Sequence, residues 1–226
     1  MKTKKCKLLN KTYSFAFYIS GKSSRLKKFL QQKNQSLINN VKLIVSDRIV
    51  ESELKDLITN LGIILLECDY NNISVKEKNL YFSNKLLEAL KFYSIDYCFS
   101  FGSRILVGKI LEDYELKIIN FHPAILPMFP GLKAIDQAVN KGNVFLIGNT
   151  AHFIDKGVDT GPIIMQSVIP MCNFSKTRDY NVVLDLQNTM LNKLVNIICN
   201  GDLIVDKDVV YIRNADYKKS HIYPSY

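Results

Sequence analysis

Cysteine is scarce and poorly spaced. The chain has five (Cys6, Cys68, Cys98, Cys172 and Cys199), an odd number with no CxxC pair, which argues against both a disulfide framework and a structural zinc site. They read as buried or incidental thiols. Long apolar runs are missing as well: none approaches the roughly 20 residues of a membrane span. The opening MKTKKCKLLNKTYSF carries charge without the apolar core and small-residue cleavage site of a secretory signal. These absences predict a cytoplasmic chain with no membrane partner. Acidic residues are in the minority, 21 against 30 basic, for a formal charge of +9. That excess is diffuse, which argues against nucleic acid as a partner. Lys2, Lys4, Lys5, Lys7 and Lys11 form a basic tail over residues 1–12, while Lys22, Arg25, Lys27 and Lys28 gather at the head of an expected helix, where they suit a phosphorylated small molecule.

What is present is material for a core. Hydrophobic residues make up 47% of the 226, ample for one generous domain. TYSFAFYIS reads as a strand ending at Ser20, followed by a Gly-Lys-Ser-Ser turn and a helix with Leu26, Phe29 and Leu30 on one face. Further short apolar runs follow at Val41–Ser46, Gly62–Asp69, Asp96–Phe101 and in YELKIINF. Helical patterns separate them, the longest from Val75 to Phe92. Strands alternating with helices predict right-handed βαβ units and a mostly parallel sheet.

Beyond these, IGNTAHFI places Asn149, Ala151 and Phe153 on one face of a strand and Thr150, His152 and Ile154 on the other. A turn-rich DKGVDTGP, a strand IIMQSVIP, a helix from about Lys176 to Cys199 and a hairpin turning near Asp206 and Lys207 complete the chain. The expected fold is therefore α/β: a Rossmann-like, mostly parallel sheet flanked by helices, with a C-terminal helix and β-hairpin. The expected organisation is a tail at 1–12, a core domain at 13–174, and a helix and hairpin at 175–226 packed on that core.

Half of the six prolines (Pro123, Pro127 and Pro130) and one of the three histidines crowd into IINFHPAILPMFPGLKAI, Ile118–Ile135. Proline fixes φ, so this stretch is pre-ordered rather than a loose connector. Ligands of open parallel sheets bind beyond the carboxyl ends of the strands. Asn120 and His122 lie at such an end and, by alternation, on the same side, and Asp159 sits in the next turn-rich loop. A lone histidine is ordinarily a satisfied core residue, but His122 beside Asn120 and before Pro123 is a more pointed arrangement. A carboxamide, an imidazole and a carboxylate are expected to converge on one crevice.

NFHPAILPMFPGL together with AHFIDKGVDTGPII resembles the formyltransferases that use 10-formyltetrahydrofolate, especially the glycinamide ribonucleotide transformylase branch and the sugar N-formyltransferases. The resemblance implies catalytic roles for Asn120, His122 and Asp159, a formyl donor in 10-formyltetrahydrofolate, and no metal. Asn120 and protonated His122 would donate to the oxyanion of a tetrahedral intermediate, and Asp159 would organise a proton relay. It further implies a cofactor pocket built from Arg104, Ile105 and Leu106 with Ile154, Asp155, Lys156, Gly157 and Val158. Substrate contacts are implied at Gly21, Lys22, Ser23, Ser24, Arg25, Pro123 and His152.

The acceptor is read from departures. Ser23, Ser24 and Arg25 stand where the glycinamide ribonucleotide enzymes carry a glycine-serine-asparagine loop. Asn188 stands near the place of their ribose-contacting acid, and FSFGSRIL is similar to the sugar enzymes. These features favour the primary amine of a nucleotide-linked amino sugar, such as a dTDP-4-amino-4,6-dideoxyhexose. The alternatives are phosphoribosylglycinamide formyltransferase and a formyltetrahydrofolate hydrolase or folate-binding relative. The residues leave the oligomeric state open, and a homodimer is compatible with them.

Overall fold

The computed structural model describes residues 12–32, 38–71, 73–171, 180–206, 209–220 and 223. The basic tail, apart from residue 12, lies outside the described residues, as do Cys6, Cys172, the expected helix start at Lys176 and the hairpin turn at Lys207.

The elements run β1 (Phe15–Ile19), α1 (Ser24–Leu30), β2 (Val41–Ser46), α2 (Ser52–Asn60), β3 (Ile64–Glu67), α3 (Lys78–Phe92), β4 (Tyr97–Ser100), α4 (Ile110–Asp113), β5 (Ile118–His122), α5 (Ala134–Lys141), β6 (Leu146–Phe153), β7 (Ile163–Pro170), α6 (Tyr180–Cys199), β8 (Leu203–Asp206) and β9 (Val209–Ile212). Strands β1 to β7 form one sheet in the order β3-β2-β1-β4-β5-β6-β7. The pairings from β3 across to β5 are parallel, whereas β5–β6 and β6–β7 are antiparallel. The α/β fold and the C-terminal hairpin are as expected from the sequence. Helix α3 starts at Lys78 rather than Val75, because Ser74 and Glu77 close a turn just before it through a Glu77 N–H to Ser74 carbonyl bond of 3.0 Å.

Period-2 alternation explains the two layers. On β1, Phe15, Phe17 and Ile19 face a core with α1, α2 and α6, including Leu26, Leu54, Ile58, Leu191, Leu194 and Ile198. Ala16 and Tyr18 face the opposite core with α3 and α4, including Phe82, Leu86 and Ile110. All five β1 residues are fully buried, as a central parallel strand covered on both faces requires. Helix α6 contributes to the same apolar cluster as β1, and Leu203, Val205 and Val210 of the hairpin pack against it. Cys68, Cys98 and Cys199 are free thiols, and burial pushes the Cys98 thiol up to about 12.

Phe17 sits at the middle of this packing, its ring centroid 5.4 Å from Phe29, 5.3 Å from Phe99 and 5.4 Å from Phe101. Phe17→Ala should therefore lower unfolding free energy by about 3–5 kcal/mol, the usual effect of emptying a buried aromatic site. Urea denaturation checks this, and a loss below about 1 kcal/mol would contradict the packing described.

Candidate active site

The carboxyl end of β5 and its antiparallel neighbour β6 build the site. Asn120 lies opposite His152 and His122 opposite Thr150. Directly opposed residues share a face, so all four side chains project to one side of the sheet. The intervening Ile119, Phe121, Ala151 and Phe153 project to the other and lie in the core. The loop after β6 returns Asp159 to this face with φ 56°, a left-handed conformation that aspartate tolerates better than most residues. Gly161 permits the return, since a Cβ there would stand 1.9 Å from the Phe153 carbonyl oxygen. Asp155 braces the same loop by accepting from the Gly157 N–H at 3.0 Å and the Thr160 hydroxyl at 2.8 Å.

Asp159 ties the cluster together. Its Oδ2 is 3.2 Å from His122 Nδ1 and accepts from the Gly131 N–H at 2.8 Å. Its Oδ1 lies 3.5 Å from both His152 Nε2 and Asn120 Nδ2. Asn120 Nδ2 is also 3.2 Å from His152 Nε2. His152 Nδ1 donates to the Phe153 carbonyl at 2.9 Å, and its Nε2 faces both the Asn120 amide and the Asp159 carboxylate. His122 Nε2 donates to the Phe129 carbonyl at 2.7 Å while Nδ1 faces the carboxylate, so both ring nitrogens of His122 look at acceptors. An imidazolium satisfies both. Burial raises the Asp159 pKa, but hydrogen bonding from His152 and the Gly131 amide, with the charges of His122 and His152, outweighs it and leaves the carboxyl below its ordinary 3.8.

Thr150, Gln166 and two backbone groups are participants that the sequence reading missed. The fully buried Thr150 hydroxyl donates to the Ala124 carbonyl at 2.7 Å and accepts from the Leu126 N–H at 3.0 Å. Gln166 Nε2 reaches that hydroxyl and the Leu126 carbonyl, each at 2.9 Å. This hub pins the proline-rich segment, which then offers the Phe129 carbonyl to His122 and the Gly131 N–H to Asp159. The available signal was Thr150 sharing a strand face with His152.

The other expected residues divide. Leu106 is buried in the apolar cluster against which Ile154 also packs, while Ile105 and Val158 are exposed. Lys156 is exposed, and its Nζ lies 3.9 Å from Glu112. Pro123 is half-buried directly after His122. Gly21 donates its N–H to Ser46 Oγ at 3.1 Å, and exposed Lys22 pairs with Glu51 at 2.7 Å. Ser23 caps α1 by accepting from the Leu26 N–H, whereas Ser24 is exposed. Arg25 donates to Gln187 Oε1 at 3.1 Å and the Phe101 carbonyl at 3.0 Å and lies over the Phe101 ring at 4.5 Å. Burial lowers its pKa to about 10.

A family model described as formyl transferase matches residues 13–194. The chain belongs to that family. It is thus related to the 10-formyltetrahydrofolate-dependent formyl-transfer enzymes, as its motifs implied. Among curated relatives, phosphoribosylglycinamide formyltransferase of Bacillus subtilis is 40% identical over 94 residues, 41% of this chain and 48% of that protein. Formyltetrahydrofolate deformylase of Haemophilus influenzae is 30% identical over 160 residues, 69% of this chain and 55% of that protein. These alignments span about half of each relative's length. The crystal structure of glycinamide ribonucleotide transformylase 1 from Symbiobacterium toebii is similar with a TM-score of 0.75 and 28% identity, covering 90% of this chain and 95% of that one.

These relatives overturn the amino-sugar expectation, since the similar formyltransferases are named for phosphoribosylglycinamide and give no support to a nucleotide-linked sugar. The structure supplies the reason for the misreading. Ser23 and Arg25, taken as marks of a different acceptor, cap a helix and brace Gln187 and Phe101.

The lowered pKa of Asp159 carries a stability signature. A carboxylate depressed in the folded state contributes stability that is fully present above its unfolded pKa and is lost as pH falls through its folded value. Asp159→Asn should therefore flatten the loss of stability on acidification below about pH 4. Thermal melts of both proteins from neutral pH down to about pH 3 check this, and parallel profiles would contradict it.

Proposed function

We propose that this formyl transferase moves a formyl group from 10-formyltetrahydrofolate to the primary amine of phosphoribosylglycinamide. The observation that carries the reading is the cluster of Asn120, His122, His152 and Asp159 around one carboxylate, with the acceptor class supported by the relatives' names. The exposed Ile105 and Val158, in the two segments that carry Leu106 and Ile154, would offer apolar surface to a folate ring. Gly21–Arg25 would face the phosphate, with Ser24 as the exposed hydroxyl and Lys22 as the exposed cation.

In this reading the neutral amine attacks the formyl carbon, and the formyl oxygen becomes an oxyanion. Asn120 and His122 are the donors for it. Both are engaged with Asp159 through the longer contacts of the cluster, 3.5 Å and 3.2 Å, which a substrate oxygen or a water displaces more readily than the 2.7 Å bond from His122 to Phe129. Asp159 takes the proton shed by the attacking nitrogen, directly or through water. Collapse of the intermediate breaks the bond to the folate nitrogen, which receives a proton, so one formyl group and one proton move from donor and amine respectively to their new partners. Pro123 and His152 frame the crevice, His152 by holding the Asn120 amide.

Formyl-transfer assays with 10-formyltetrahydrofolate should show phosphoribosylglycinamide preferred by at least about 100-fold in kcat/KM over a dTDP-4-amino-4,6-dideoxyhexose. Formate release without any amine, at a rate matching transfer, would replace the proposal with a deformylase. Asp159→Asn and His122→Ala should each lower turnover about 100-fold or more, the usual effect of losing an acid–base or oxyanion partner. Near-normal turnover in either would remove the cluster from the chemistry.

A further inference from the structure

A second buried carboxylate lies outside this cluster. Asp47 follows β2, and its side chain is fully buried. Burial of an ionised carboxylate is costly unless it is well partnered, and such groups seldom add stability over an apolar replacement. What they do supply is direction. Asp47 Oδ2 accepts from the Tyr18 hydroxyl at 3.1 Å and the Ser20 hydroxyl at 3.0 Å.

An ionised carboxylate only accepts, so each hydroxyl must give it its hydrogen and turn a lone pair outward. Tyr18 Oη accepts the Arg104 N–H at 2.7 Å, and Ser20 Oγ accepts the Ser103 N–H at 2.8 Å. One buried charge thereby converts two hydroxyls into acceptors for two successive amides of the loop after β4. The same Oδ2 lies 3.4 Å from Arg104 Nε, and among the described residues Asp47 is the only carboxylate paired with Arg104. Oδ1 has no hydrogen-bond partner and faces Arg48 Nε at 3.7 Å. Gly102 lets the loop press against Tyr18, because a Cβ there would stand 2.0 Å from the ring.

The clamp joins the carboxyl ends of β1, β2 and β4, beside the β1–β4 crevice where strand order reverses and ligands of such sheets bind. We propose that Asp47 is a positioning residue for formyl transfer, fixing Arg104 and the backbone that leads into Ile105 and Leu106, and so setting affinity for the folate donor. This rests on the reading of that loop as part of the folate pocket. Asp47→Asn keeps the shape but brings an N–H₂ that competes with one hydroxyl for direction and removes the charge facing Arg104.

The test is calorimetric binding of 10-formyltetrahydrofolate, which needs no acceptor, together with steady-state kinetics. Asp47→Asn should raise Kd and KM for the donor about ten-fold, the weight of a charge-assisted hydrogen bond, with kcat within about three-fold and the acceptor KM unchanged. In an Arg104→Ala background it should still weaken donor binding, but by less than in the wild-type background, because the two backbone amides remain while the guanidinium is gone. Unchanged donor affinity, a change confined to the acceptor, or full additivity with Arg104→Ala would overturn the proposal. Arg104→Ala without effect on donor binding would instead remove the pocket reading beneath it. Should Asp47→Asn fail to fold, Ser20→Ala deletes one relay without leaving the buried charge bare. It should weaken donor binding several-fold, and wild-type affinity would overturn the proposal equally.

Discussion

A carboxylate with only 12% of its side chain exposed, placed between two buried imidazoles, is the constraint around which this site is arranged. Asp159 needs donors on both oxygens. The chain provides them from three separate segments: His122 from β5, His152 from β6 and the Gly131 amide from the proline-rich loop. None of these is near another along the chain except through the register that sets Asn120 opposite His152 and His122 opposite Thr150. A slip of one residue in that pairing would turn one strand's pair, Asn120 with His122 or Thr150 with His152, to the core face and separate it from the other.

The proline-rich loop shows how rigidity is divided between sequence and tertiary contact. Its prolines limit the conformations of the free chain, but the Thr150 hydroxyl and the Gln166 amide choose among those that remain. The outcome is that main-chain atoms, the Phe129 carbonyl and the Gly131 N–H, take part in the polar cluster on the same footing as side chains. Buried networks of this kind are strongest when each member is satisfied, and the His122 ring meets that condition with acceptors on both nitrogens.

Much of this was legible because it is written in alternation. FAFYI and IINFH are short strands whose odd and even residues take opposite faces, and the shared face of Asn120 and His122 follows from that alone. The Asp159 loop was legible from its glycines and its spacing to the strand before it. The hub at Thr150 was not, because a threonine in a strand is unremarkable until the loop it holds is folded over it. Asp47 was hidden for a related reason: an aspartate just past a strand reads as a turn residue, and only the approach of Tyr18, Ser20 and Arg104 from distant segments marks it as buried. The acceptor was misread where residue identity was taken as recognition, while Ser23 and Arg25 have local tasks in helix capping and in bracing Gln187.

The sharing of one apolar layer between the first strand and α6 bears on biosynthesis. Phe15, Phe17 and Ile19 lie in the same cluster as Met190, Leu191, Leu194, Val195 and Ile198. While the chain is being made, β1 is synthesised before α6, and the face it shares with α1 and α2 stays only partly covered until α6 has cleared the ribosome. Exposed strand surface of that kind invites self-association, so nascent chains halted before α6 should be clients for a chaperone that holds apolar segments, whereas chains halted after it should not.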